Sequence, residues 1–168
     1  MTTPRSRILT HFPRLIFCWL ACITAVSCQE EDIPRNEDVR TALLEEINAL
    51  RKEGCTCGTE WMAPVNTLTW NLILEKTALD HATDMYTNNY FDHLSPTGTS
   101  PIQRAHNNGY SGDYVGEVIA RKYFTAKDVV EAWQASESHC RALMDSLYNE
   151  MGGARKEDYW VVNLGKSK

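Results

Sequence analysis

Five histidines and six cysteines set the chemistry open to this chain of 168 residues. His93 stands in the stretch NYFDHLSPTGTSPIQR, residues 89–104. The Ser, Pro, Thr and Gly of that stretch make a turn, but a turn has no use for an imidazole. His93 is therefore a candidate for proton transfer or metal ligation. His81, in HATDM, lies near a stripe of Ala78 and Met85 and reads as a packed or hydrogen-bonded ring. His106 stands in a short polar segment and reads as solvated. No HExxH pair is present, and no serine stands at a recognisable spacing from a general base. Ser95 and Ser136 read as capping residues.

The cysteines divide by position. Cys18 and Cys22 fall in the first 28 residues. Cys55, Cys57 and Cys140 remain inside the rest of the chain, with Cys28 between. The spacing CTC is wrong for a CxxC redox or zinc knuckle, and no second pair follows. Three internal cysteines allow at most one internal bridge, from GCTCG to Cys140, with one thiol left over. Such a bridge implies an oxidising compartment.

The N-terminus agrees with export. Residues 1–14 carry Arg5, Arg7 and Arg14 and no acid, and residues 15–28 (LIFCWLACITAVSC) carry no charge at all. A basic segment followed by an apolar one of this length reads as a signal peptide, too short for a transmembrane span of about 20 residues. AVSC, 25–28, resembles a bacterial lipobox, which makes Cys28 a lipidated N-terminus and the acids after it an export tag of Gram-negative surface lipoproteins. Ordinary cleavage, giving a secreted or periplasmic protein, is the alternative. Without 1–28 the chain holds 14 basic and 22 acidic residues, a net charge of about −8. An acidic chain with no basic stripe excludes nucleic acid as a partner.

Elements must carry these residues. A polar tether, 29–38, runs into an amphipathic helix read over 36–54, with Asn36 able to cap it and Val39, Leu43, Ile47 and Leu50 on one face. Residues 55–70 read as loop. Asn71 caps a second helix to about Asn88, with Leu74, Ala78, Ala82 and Met85 inward. Ser100-Pro101 starts a short helix that Asn108-Gly109 stops. Residues 114–120 read as a strand. Thr125 with Asp128 opens a further helix, broken near Ser136–Ser138 and stopped by Gly152-Gly153. A second strand covers 158–164. Helices and short strands mixed in this way predict a layered α+β domain over 39–166, expected as a monomer.

The ordered series LxxINxxR, GCTCG, LTWN, HATDM, FDH, SPIQR, GY, GEVIA, VVEAW, SHC, YW and LG, spread over residues 40–165, resembles the bacterial branch of the CAP superfamily. That superfamily comprises cysteine-rich secretory proteins, antigen 5 and pathogenesis-related proteins. The resemblance implies a three-layer α-β-α sandwich with a small, mostly antiparallel central sheet and an open cleft. It places His93, Glu117 and His139 in the cleft and pairs Cys57 with Cys140, leaving Cys55 free; Cys55–Cys140 is the alternative. Two imidazoles and a carboxylate either converge on a cation such as zinc or brace the sheet as a polar network. Glu137 is a secondary candidate, standing one residue past the position of a second family glutamate, which Ser136 occupies. Tyr159 takes the place of the last histidine of the eukaryotic branch. The sequence departs from the family at Val118, at Glu137-Ser138 and at Val161-Val162, where orienting polar groups are lost. The resemblance implies a non-enzymatic module that binds a lipid, a cell-envelope component, a metal or a protein. The alternative is a weak metal-assisted hydrolase in which Glu117 activates water.

The lipobox carries its own test. Cys28→Ala should release the protein from the membrane fraction or stall its processing. Unchanged membrane partition in that variant contradicts acylation at Cys28.

Overall fold

The computed structural model describes residues 36–168. The leader, Cys28 and the tether up to residue 35 lie outside the described residues, as does the capping side chain of Asn36. Helix α1 covers Asn36–Glu53. A hairpin follows, β1 (Cys55–Cys57) and β2 (Glu60–Met62), then the short β3 (Thr69–Trp70). After these come α2 (Leu72–Asn88), α3 (Pro101–Asn107), β4 (Tyr114–Arg121), α4 (Ala126–Ala135), α5 (Glu137–Leu143), β5 (Glu150–Lys156) and β6 (Tyr159–Lys166). No helix among the described residues is long and apolar enough to cross a membrane.

Four strands form the central sheet in the order β3-β5-β6-β4, antiparallel except where β3 runs parallel to β5. One face of the sheet packs against α1, α4, α5 and the β1–β2 hairpin through Leu43, Ile47, Val118, Trp133, Trp160 and Val162. The other face packs against α2 through Ala78, Ala82, Met85, Ile119 and Val161. This is the α-β-α sandwich expected. Since β6 is interior and covered on both faces, it is buried from Tyr159 to Gly165. Val161 and Val162 thus serve opposite layers of core.

The helix ends follow local chemistry. Asn71 Oδ1 accepts the N–H groups of Ile73 (2.9 Å) and Leu74 (3.1 Å) at the start of α2. Ser100 and Gln103 form a capping box over Pro101. Thr125 Oγ1 accepts the Asp128 N–H at 3.1 Å. The expected break falls at Ser136, whose backbone is extended and ends α4 before α5 begins.

Two expectations need correction. Residues 55–70 are not plain loop but hold β1, β2 and β3. Gly152-Gly153 does not stop a helix, because it lies inside β5. The glycines are there for clearance. A Cβ on Gly152 would stand 2.5 Å from Leu74 C and 2.7 Å from Asn71 O, so α2 starts directly over this strand. Elsewhere Arg51, fully buried, gathers loose backbone: it donates to the carbonyls of Asn66 (2.7 Å), Leu143 (2.6 Å), Asp145 (3.0 Å) and Tyr148 (3.2 Å). Burial lowers its pKa from the ordinary arginine value. The Cys57–Cys140 bond ties the hairpin to α5 across 83 residues of sequence, a loop whose closure is worth about 4 kcal/mol in the unfolded chain.

Gly152→Ala should cost about 3 kcal/mol, because the clash is with backbone that cannot swing aside. Thermal unfolding monitored by circular dichroism reads this directly. An unchanged midpoint would mean that α2 does not press on β5.

Candidate functional site

Strand β4 is an edge strand, and Glu117 sits near its middle. Its cross-strand partner is Asn163 on β6, so the two side chains emerge on the same face, toward α2. The Glu117 carboxylate is 1% exposed. A charge so deep must be paired, and it is. Arg104 Nη2, from α3, donates to Oε2 at 2.7 Å, and His93 Nδ1, from the turn after α2, lies 2.9 Å from Oε1. His81 Nε2 is 3.7 Å from the same Oε1. Asn163, with its amide turned to satisfy both ends, donates to Oε2 at 3.2 Å and accepts the Ala78 N–H at 3.1 Å.

The turn is fastened to this clamp. Arg104 Nη1 donates to the carbonyls of His93 (2.9 Å) and Thr99 (2.8 Å). His81, fully buried, donates from Nε2 to Asp92 O at 3.0 Å. Tyr90, 3.4 Å from His81 Nδ1, donates its hydroxyl to Asp84 Oδ2. Burial and that bond push the Tyr90 phenol up from its ordinary pKa. His93 thus both holds the turn and belongs to the network around Glu117.

The opposite wall comes from α4 and α5. A cleft of about 300 Å³ runs along the β4 edge, lined by Phe91, Ile119, Arg121, Trp133, Ser136 and His139. Trp133 Nε1 donates to Ile119 O at 3.1 Å and pins α4 to the strand. The Arg121 guanidinium stacks over Phe91, 5.4 Å from the ring centre. Ser136 makes no side-chain cap on α5; its hydroxyl instead meets His139 Nδ1 at 2.9 Å.

The histidines differ in their proton affinity. The hydrogen bond to Glu117 raises the His93 pKa. Burial lowers that of His139, with the charge of His93 adding to the effect, and burial also lowers that of His81. His93 therefore stabilises the fold below the unfolded pKa near 6.5 and loses that contribution as pH rises through its higher folded value. His81 and His139 act in the opposite sense and weaken the fold as pH falls below about 6.5.

The structure brings His93 and Glu117 into contact, while His139 lines the cleft and meets Ser136. It does not gather the three onto one point. Among the described residues, the three-residue set whose ligand atoms all lie within 4.8 Å is Cys55, Cys57 and Cys140. Zinc does not fit the His93–Glu117–His139 set as it stands, because their ligand atoms do not gather within 4.8 Å of one another and Arg104 holds Glu117 Oε2. Glu137 is exposed and paired with Arg141 at 3.0 Å, away from Glu117. Tyr159 is buried beneath Phe91 and Tyr86, with ring centres 6.4 and 6.3 Å apart. Sequence reasoning assigned no role to Arg104 or Asn163. Their signals were present: an arginine closing SPIQR, and a lone amide in the apolar run YWVVNLG.

Residues 44–164 match the model of the cysteine-rich secretory protein family. The chain is 32% identical to an outer surface protein of Borrelia burgdorferi, with a TM-score of 0.66 over 76% of this chain and 92% of that one. It shares its fold with an SCP-domain extracellular protein of Bacillus anthracis, at 21% identity and a TM-score of 0.71, over 79% of this chain and 41% of that one. It is 33% identical over 99 residues to an uncharacterised membrane protein of Bacillus subtilis, covering 59% of this chain and 29% of that longer protein.

Proton NMR of the histidine rings tests the electrostatics. His93 should titrate above, and His139 below, the ordinary imidazole value. Glu117→Gln should bring His93 down toward it. A His93 titration that ignores Glu117→Gln would dissolve the pair.

Proposed function

This chain belongs to the cysteine-rich secretory protein family, and on that footing we propose that it is an exported binding module, not an enzyme. The observation that carries the reading is the state of Glu117. Its carboxylate is held by Arg104 and His93 and buried to 1% exposure, so it is shut off from solvent and poorly placed to activate water. The cleft beside it offers apolar walls in Phe91, Ile119 and Trp133, and polar groups in Arg121 and His139. That combination suits an amphipathic ligand with an anionic head. We take a lipid of the fatty-acid type as the probe class, with Arg121 at the head group. The leader ending at Cys28 and the likeness to an outer surface protein support a surface or outer-membrane lipoprotein of a Gram-negative cell, held by its N-terminal lipid and monomeric. No resident zinc and no nucleic acid enter this reading.

One observation favours a hydrolytic alternative. Ser136 Oγ lies 2.9 Å from His139 Nδ1 inside the cleft, within reach for proton transfer. Burial lowers the pKa of that imidazole, which favours the neutral form a base needs. No hydrogen bond from the His139 ring to a carboxylate is present among the described residues, so the ring lacks the orienting partner that completes such a pair.

Tryptophan fluorescence separates the readings, since Trp133 lines the cleft. A long-chain fatty acid should bind one per chain and its methyl ester more weakly. Arg121→Gln should weaken the acid about tenfold, the loss of one charge-assisted contact. Ser136→Ala should leave binding intact. Absence of binding contradicts the lipid reading; ester cleavage that disappears in Ser136→Ala establishes the hydrolase instead.

A further inference from the structure

Three sulfur atoms meet beneath the β1–β2 hairpin. Cys57 and Cys140 are bonded, and Cys55 Sγ lies 3.4 Å from Cys140 Sγ and 3.8 Å from Cys57 Sγ. None of the three residues is more than 4% exposed. The cause is local. Cys55 and Cys57 stand two apart on a strand, so both face inward while Thr56 faces out. Gly54 (φ 74°) precedes the pair and Gly58 (φ 64°) follows it. A Cβ on Gly54 would meet Met62 O at 2.7 Å, and one on Gly58 would meet Glu137 Cδ at 2.6 Å. The positive φ at both turns favours glycine, the backbone of Met62 also closes the first to a side chain, and the strand presents two thiols toward α5.

A bridge needs one of those two cysteines, and the second is the unexplained one. Cys55 Sγ lies at similar distances from both bonded sulfurs, beside the bond instead of behind it. Attack along the bond axis, which disulfide exchange requires, is not available from there. The spacing serves a different chemistry. Zinc–sulfur bonds of about 2.3 Å at tetrahedral angles put their sulfurs about 3.8 Å apart. We propose that, once the Cys57–Cys140 bond is reduced, Cys55, Cys57 and Cys140 form a three-thiolate site for a thiophilic d10 cation of the zinc, cadmium and copper(I) class. A thiol reductant supplies two electrons. The S–S bond breaks, each sulfur takes a proton, and the reductant leaves as its own disulfide. The cation then displaces the thiol protons to water as the sulfurs close on it. All three ligand atoms already lie within 4.8 Å of one another, and soft sulfur selects soft metals. Bridge and metal exclude each other, so the hairpin is tied to α5 by a disulfide in one redox state and by a cation in the other.

The test uses the full chain with Cys18→Ser, Cys22→Ser and Cys28→Ser as a common background and cadmium as the probe. Anaerobic titration of the reduced protein should raise a sulfur-to-metal charge-transfer band that saturates at one cation per chain. The melting temperature of the reduced form should rise with it, since a cation bound only by the folded state stabilises that state. Cys55→Ser keeps the bridge partners but should weaken cadmium by more than about tenfold, a loss already typical when only an outer partner of a ligand is removed. The oxidised protein should bind none. If reduction alone melts the fold, cadmium should restore its circular dichroism. No band, a band without thermal stabilisation or refolding, equal affinity in Cys55→Ser, or equal binding by the oxidised chain would each overturn the site.

Discussion

A buried carboxylate organises this protein. Glu117 stands at 1% exposure on an edge strand, where an unpaired charge would cost several kcal/mol. Its partners come from separated parts of the chain. Arg104 is carried by α3, His93 by the turn after α2, and Asn163 by the neighbouring strand. Satisfying one charge therefore fixes the position of three elements. The same arginine also holds the carbonyls of His93 and Thr99, which gives the Ser/Thr/Pro/Gly turn a single shape. The cleft lies along β4 because this clamp closes one side of the strand and Trp133, bonded to Ile119 O, closes the other.

The clamp also decides what the cleft can do. A carboxylate that receives a guanidinium and an imidazole is a weaker general base and a weaker ligand for a cation, since those hydrogen bonds already stabilise the charge that either role would draw on. The groups left facing the cleft are apolar rings, Arg121 and the Ser136–His139 pair. On the proposed reading they offer shape and charge to a ligand. The departures from the family pattern fit this picture. Val118, Val161 and Val162 are buried in the packed layers of the sheet, so positions that could have oriented a reacting group carry core instead.

Much of the fold was legible because its signals are local. Asn71, Ser100 with Pro101, and Thr125 each cap the helix expected of them, and the apolar stripe of α1 is the one that meets the sheet. β5 was not legible. Its paired glycines look like a helix stop, and the reason for them is the backbone of α2 passing overhead, a contact distant in sequence. At the site, family likeness pointed to His93, Glu117 and His139, of which the structure joins the first two, and the bridge of Cys57 with Cys140 is the one present. Likeness did not show that Arg104 neutralises Glu117. An arginine closing a turn motif looks the same in sequence whether it is solvated or buried against a carboxylate. Arg51 hides its role for the same reason, its four backbone carbonyl partners lying 15 to 97 residues away.

The central claim is that Glu117 serves structure while the cleft beside it binds a ligand. A crystal structure of the oxidised protein grown with both zinc and a long-chain fatty acid tests this most directly. The account predicts an acyl chain against Phe91, Ile119 and Trp133, its head group at Arg121, and Glu117 still bonded to Arg104 and His93. Zinc bound to Glu117, with Arg104 displaced and His93 and His139 drawn in as ligands, would contradict it.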